Sequence, residues 1–157
     1  MSNQEHLKLS IFDFNFLEFL RLHYNDFIVF ATGSWDYTTH TGSYHYTTHY
    51  KGRAISRFSE LHNLKSPDVA MLLAIKDACE HIRVEEKNIF FITPTQLGFH
   101  IAERGKGANR GLVEEIIYIC NLKALNINTL AISGGSDFFK AITTRYLEKT
   151  SSTSKNN

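Results

Sequence analysis

One order of segments limits what this chain can fold into. Between Lys65 and Asp137 an apolar helix, a short strand, a glycine-rich loop, a second helix and a second strand follow one another. Ser66-Pro67-Asp68 is a strong helix start. The serine can cap free amides, proline has no N–H to leave unsatisfied, and the aspartate faces the positive end of the helix dipole. Val69, Leu72, Leu73, Ile75, Cys79 and Ile82 then recur at helical spacing, with Ala70, Ala74 and Ala78 interleaved. Ile89 to Thr93 is a continuous apolar run that Pro94 interrupts. Such a run suits a strand covered on both faces. Arg104 to Gly111 leads into a helix over Leu112 to Ala124 with Val113, Ile116, Ile117 and Cys120 inward, and Ile127 to Ser133 is the next strand. Strands separated by helices pair in parallel through crossovers.

Upstream, residues 27–60 read as a three-stranded meander. Phe27 to Thr32 is apolar and β-branched, and Tyr44 to Tyr50 alternates aromatic, His and Thr as a half-exposed strand does. Lys51-Gly52 turns the chain and Ala54 to Phe58 returns it. Thr38 to Ser43 is either an insertion at the first turn or a longer hairpin. The expected fold is α/β: three-stranded meander, then helix-strand-loop-helix-strand, in a mixed sheet with helices packed on it.

The first-helix residues Ser66, Pro67, Ala70, Met71, Leu72, Ala74 and Asp77 match a motif, Ser-Pro-x-x-Ala-Met-Leu-x-Ala with an Asp three residues on. By this motif the chain resembles the universal small-subunit ribosomal protein eleven family, in its eukaryotic and archaeal branch. Gly105, Gly107 and Ala108 match that family's Gly-Pro-Gly-Ala loop, with Lys106 in place of the proline. Tyr50-Lys51-Gly52-Arg53 is similar to its hairpin turn. The resemblance covers roughly residues 27–137. It implies a domain over 27–137, flanked by an N-terminal extension at 1–26 and a C-terminal helix and polar tail at 138–157. It also implies a structural constituent of the small-subunit platform that binds rRNA and neighbouring ribosomal proteins. No cofactor, small-molecule substrate, membrane partner or catalytic activity is expected. The alternative is a non-catalytic protein–protein interaction module of the same fold without RNA.

The loop chemistry bears on this reading. Glycines let a backbone approach closely, a helix N-terminus offers amides to phosphate, Lys106 is a point charge, and Arg104 and Arg110 can fork onto phosphate oxygens. A solvated loop with ordinary charges is the competing interpretation. With the resemblance, the expected RNA-binding residues are Lys51, Arg53, Lys65, Ser66, Arg104, Gly105, Lys106, Gly107, Asn109 and Arg110.

Net charge is only +1, from 17 Lys+Arg against 16 Asp+Glu. An RNA-threading tail needs cations, yet Gly134-Gly135-Ser136-Asp137 leads into a helical pattern over Phe138 to Leu147 where the family has a basic tail. Weak charge, an altered tail and a Phe-, Tyr-, Ile- and Asn-rich composition point to a mitochondrial ribosome, with a cytoplasmic ribosome as the alternative. The N-terminus is not an Arg-rich, acid-poor transit peptide. Both flanks are aromatic. Phe12, Phe14, Phe16 and Phe19 precede the domain, with a helix expected over about residues 13–23, and Phe138, Phe139 and Tyr146 follow it. These seven are candidate protein-docking anchors, whether on the chain's own sheet or on a neighbour.

Other chemistries lack their residues. Ribonuclease H-like folds have the same element order, but the first strand has no Asp near Ala31 or Thr32, and Thr93-Pro94-Thr95 has none either, so a two-metal carboxylate site is not expected. The loop lacks the Gly-Lys-Ser/Thr ending of a Walker motif. His40, His45 and His49 do not all share one face of a strand and are not expected to hold a metal. Cys79 and Cys120 sit on apolar helix stripes as reduced core residues.

Overall fold

A computed structural model describes residues 4–102 and 104–143. Its strands are β1 (His6–Ser10), β2 (Phe27–Asp36), β3 (Thr41–Tyr50), β4 (Arg53–Leu61), β5 (Asn88–Thr93) and β6 (Asn126–Ser133). Its helices are α1 (Phe16–Leu22), α2 (Pro67–His81), the single turn α3 (Phe99–Ala102), α4 (Arg110–Leu122) and α5, residues 136–143. The strands form one mixed sheet in the order β1-β6-β5-β2-β3-β4. β2, β3 and β4 are antiparallel neighbours, whereas β5 lies parallel to β2, β6 to β5 and β1 to β6.

Alternation along β2 builds both sides of the core. Phe27, Val29 and Ala31 pack with α2 and α4, and Ile28 and Phe30 pack with α5 and the N-terminal aromatics. The molecule is therefore three layers, helix on sheet on helix. α2 begins where the sequence marks it. The Ser66 hydroxyl accepts from the Val69 amide at 3.3 Å, and Pro67 opens the helix. Ala70, Ala74 and Ala78 are buried, and small side chains there let the helix sit low on the sheet. The contact with β2 is tight enough that a Cβ on Gly33 would lie 2.8 Å from that of Ala70. The far end of α2 is held by Lys123, whose ammonium donates to the carbonyls of Cys79 at 2.6 Å and Ile82 at 2.7 Å. Cationic hydrogen bonds to final-turn carbonyls satisfy groups that the helix itself leaves unpaired.

Some elements settle an open expectation and others differ from it. Thr38 to Ser43 is a longer hairpin, since β2 continues to Asp36 before β3 begins at Thr41. Asp36 stabilises that turn by accepting from the Thr38 amide at 2.9 Å, and Thr38 hydrogen bonds hold its carboxyl below the usual range. The turn between β3 and β4 falls at Lys51-Gly52 as expected; both residues have positive φ, 49° and 78°, which suits a two-residue hairpin. Within residues 13–23 the α-helix covers only Phe16–Leu22, capped by the Asn15 side chain, which accepts from Glu18 N; Asp13 ends a short 3-10 turn, Ile11–Asp13. β1 and α3 are additions. β1 makes the segment before residue 27 part of the same sheet. α5 begins at residue 136, two residues early, and the last part of the expected 138–147 helix lies outside the described residues.

Candidate nucleic-acid interface

The sheet separates the expected RNA-binding residues into two groups at opposite ends. Because β2, β5 and β6 run the same way, their carboxyl ends share one rim. There β5 ends at Thr93, the glycine loop follows α3, and α2 and α4 start. Lys65, Ser66, Arg104, Gly105, Lys106, Gly107, Asn109 and Arg110 belong to this rim. Lys51 and Arg53 do not. Their turn joins Tyr50 to β4, and β3 pairs His49 with Ile28 at the amino end of β2.

At the carboxyl rim the loop is shaped by its own residues. Gly105 and Gly107 have φ of 68° and 115°, conformations that a side chain would strain. The Gly105 amide donates to Ala102 O at 2.9 Å, and the Arg110 guanidinium donates to Gly105 O at 2.6 Å. Arg110 also lies 3.5 Å from the Glu114 carboxylate. Arg110 is thus a brace within the loop. Arg104 and Lys106 are exposed and make no side-chain bond among the described residues. Asn109 occupies the N-cap of α4 without a side-chain cap bond. A Cβ on Gly111 would meet nothing within 4 Å, so the first turn of α4 is open to solvent. Beside it lies a cleft of about 260 Å³ bordered by Asp68, Gln96, Lys106, Asn109 and Arg110. Thr95 donates to the Asp68 carboxylate at 3.4 Å and joins the start of α2 to the end of β5. Ser66 is committed to capping α2.

Chemically, such a rim suits an oxyanion. Exposed amides of a helix start and three exposed cations, Lys65, Arg104 and Lys106, without side-chain partners among the described residues, attract it, while Asp68 limits where it can sit.

At the amino rim, Tyr50 stacks on Phe27 with ring centres 4.1 Å apart, and the Lys51 ammonium lies 5.5 Å from the Tyr50 ring centre. Arg53 is exposed.

The aromatic flanks fold onto the chain itself. Phe16 meets Phe30 and Phe138 edge-on at 5.5 and 5.4 Å, Phe14 meets Phe138 at 5.7 Å, and Phe19 meets Phe90 at 5.2 Å. Phe139 is fully buried. Phe12 is the exception at 94% exposure, and Tyr146 lies outside the described residues.

The histidines do not converge. His40 sits in the turn, His45 lies 4.5 Å from the Phe58 ring, and His49 is wedged against Phe16 and Phe30. Burial lowers the pKa of both His45 and His49, the latter to about 4. Cys79 and Cys120 are buried with sulfurs 3.6 Å apart, and the hydrogen bond to Cys120 together with burial raises the Cys79 pKa. Asp77 of the first-helix motif accepts a 2.8 Å hydrogen bond from the Tyr46 hydroxyl, and burial followed by that bond raises the tyrosine pKa. Sequence reasoning missed the Lys123 clamp and the Trp35 latch, in which the indole N–H donates to Leu64 O at 2.9 Å and fixes the approach to α2. Only Trp35 offered a hint, as the chain's one tryptophan.

No family model matches the sequence, and no curated protein matches it.

Proposed function

We propose that this chain is a divergent member of the universal small-subunit ribosomal protein eleven family, a structural rRNA-binding protein of the platform rather than an enzyme. The observation that carries the reading is a juxtaposition. The Ser66 to Asp77 motif forms α2, and its start lies on the same rim as the glycine loop, with Arg104 and Lys106 lacking side-chain partners among the described residues and the N-terminus of α4 without a side-chain cap. Phosphate neutralisation dominates affinity for nucleic acid, and this rim gathers the means for it. The topology supports the same reading. Counted from β2, the strands stand in the order third, second, first, fourth, fifth, with the first three antiparallel and the last two parallel to the first. We read this order as consistent with the ribonuclease H-like arrangement that the resemblance implies, with β1 added at the edge. Near-neutral charge supports placement in a mitochondrial ribosome, where protein contacts replace part of the RNA contact.

The test is association with small ribosomal subunits. Arg104→Glu with Lys106→Glu reverses two exposed charges that make no side-chain bond among the described residues. The double variant is expected to keep its melting midpoint and to lose co-sedimentation with the subunit. Undiminished co-sedimentation would refute the rim as the RNA contact.

A further inference from the structure

The two edges of the sheet are unlike. β1 is short, five residues, and carries Lys8. β4 is nine residues long, contains no Lys, Pro or Gly, and pairs with β3 in unbroken register from Tyr50↔Arg53 to Gly42↔Leu61. Soluble proteins commonly blunt such an edge with a bulge, a proline or a lysine, because its unpaired N–H and C=O groups are a template for another strand. β4 packs chiefly on β3, and no described backbone group bonds to its outer edge.

Its side chains are sorted by face. Arg53, Ile55 and Arg57 pair with Tyr50, Thr48 and Tyr46 and so share the face that α2 covers farther in. Both arginines are exposed without a carboxylate partner among the described residues, and Ile55 between them is 56% exposed. Phe58, on the opposite face beside His45, is also exposed. Four residues of strand separate the arginines by roughly 13 Å.

We propose that the outer edge of β4 is a docking strand for an extended segment of a partner protein with the pattern acidic-x-apolar-x-acidic. Strand addition would satisfy the unpaired backbone groups, and alternate side chains would supply specificity. The two carboxylates would face Arg53 and Arg57, and the apolar residue would cover Ile55. A second copy of this chain fits poorly. Antiparallel self-pairing centred on Ile55 sets Arg53 against Arg57, and pairing centred on Arg57 sets it against itself. RNA is also the poorer occupant, because an aliphatic side chain between the cations offers no stacking surface. The inference does not depend on the role of the glycine loop, which lies on the carboxyl rim.

The probe is a labelled peptide, Thr-Thr-Glu-Thr-Val-Thr-Glu-Thr-Thr, with a control in which both glutamates are lysine. Fluorescence anisotropy is expected to show the glutamate peptide binding the full chain about tenfold or more tightly than the control. Amide exchange should slow within residues 53–61 on binding. Arg53→Glu with Arg57→Glu should invert the preference, and its circular dichroism melt reports whether it folds. If it does not fold, the wild-type preference and exchange map decide. Unchanged exchange in residues 53–61 at saturating peptide, or equal affinity for the two peptides, would overturn the proposal. So would protection of those amides by a nine-nucleotide uridine oligomer and not by the peptide.

Discussion

Single residues in this molecule are constrained mainly by what surrounds them. His49 is on a strand that reads as half-exposed, yet it is 7% exposed and lies against the rings of Phe16 and Phe30. Burial disfavours its charged form and lowers its pKa to about 4, from 6.5 in the unfolded chain. The folded state therefore excludes a proton that the unfolded state binds. This stability is fully present above pH 6.5 and is lost as pH falls from 6.5 toward 4. Between pH 7 and pH 5 the difference is about 2 kcal/mol. Denaturant titrations of wild type and His49→Leu should show a pH dependence smaller by that amount in the variant. Gly42 is constrained by space. A Cβ there would overlap the carbonyl oxygen of Ser34 and approach Leu64 Cδ2 to 2.8 Å. Gly42→Ala should destabilise the fold by about 2–3 kcal/mol, measured by thermal melting, since paired backbones cannot move apart without breaking the hairpin.

At the scale of elements, the strength of local signals decided what could be read. α2 has a cap, a proline and a long apolar stripe, and the structure places its start at Pro67 behind Ser66. Ser66→Ala should cost about 1 kcal/mol through the lost bond to Val69 N. An unchanged melting midpoint would mean the hydroxyl contributes nothing. β5, β6, α4 and the Lys51-Gly52 turn were legible for similar reasons, because short apolar runs or glycine punctuation bounded them. β1 was not. Its Leu7 and Leu9 alternate with His6 and Lys8, a period-two pattern too short to separate from chance, and its pairing with β6 spans the whole domain. The N-terminal phenylalanines were visible as a group needing cover. That the cover would be Phe30, Phe90 and Phe138 depended on where α1 and α5 land, which no local pattern states.

For the whole molecule, the sheet direction sorts the candidate contacts. Lys51 and Arg53 looked like part of the same set as the glycine loop, but the hairpin carries them to the amino rim. Arg110, expected as a phosphate fork, also holds the Gly105 carbonyl. What remains at the carboxyl rim is Lys65, Arg104, Lys106 and the open start of α4. The most direct measurement is the salt dependence of binding to a small-subunit rRNA fragment, for wild type, Lys106→Ala and Lys51→Ala. If Lys106 neutralises a phosphate, its removal lowers the slope of log affinity against log salt by about one, and removal of Lys51 leaves the slope unchanged. An unchanged slope in Lys106→Ala, or a loss confined to Lys51→Ala, would contradict the assignment of RNA to the carboxyl rim.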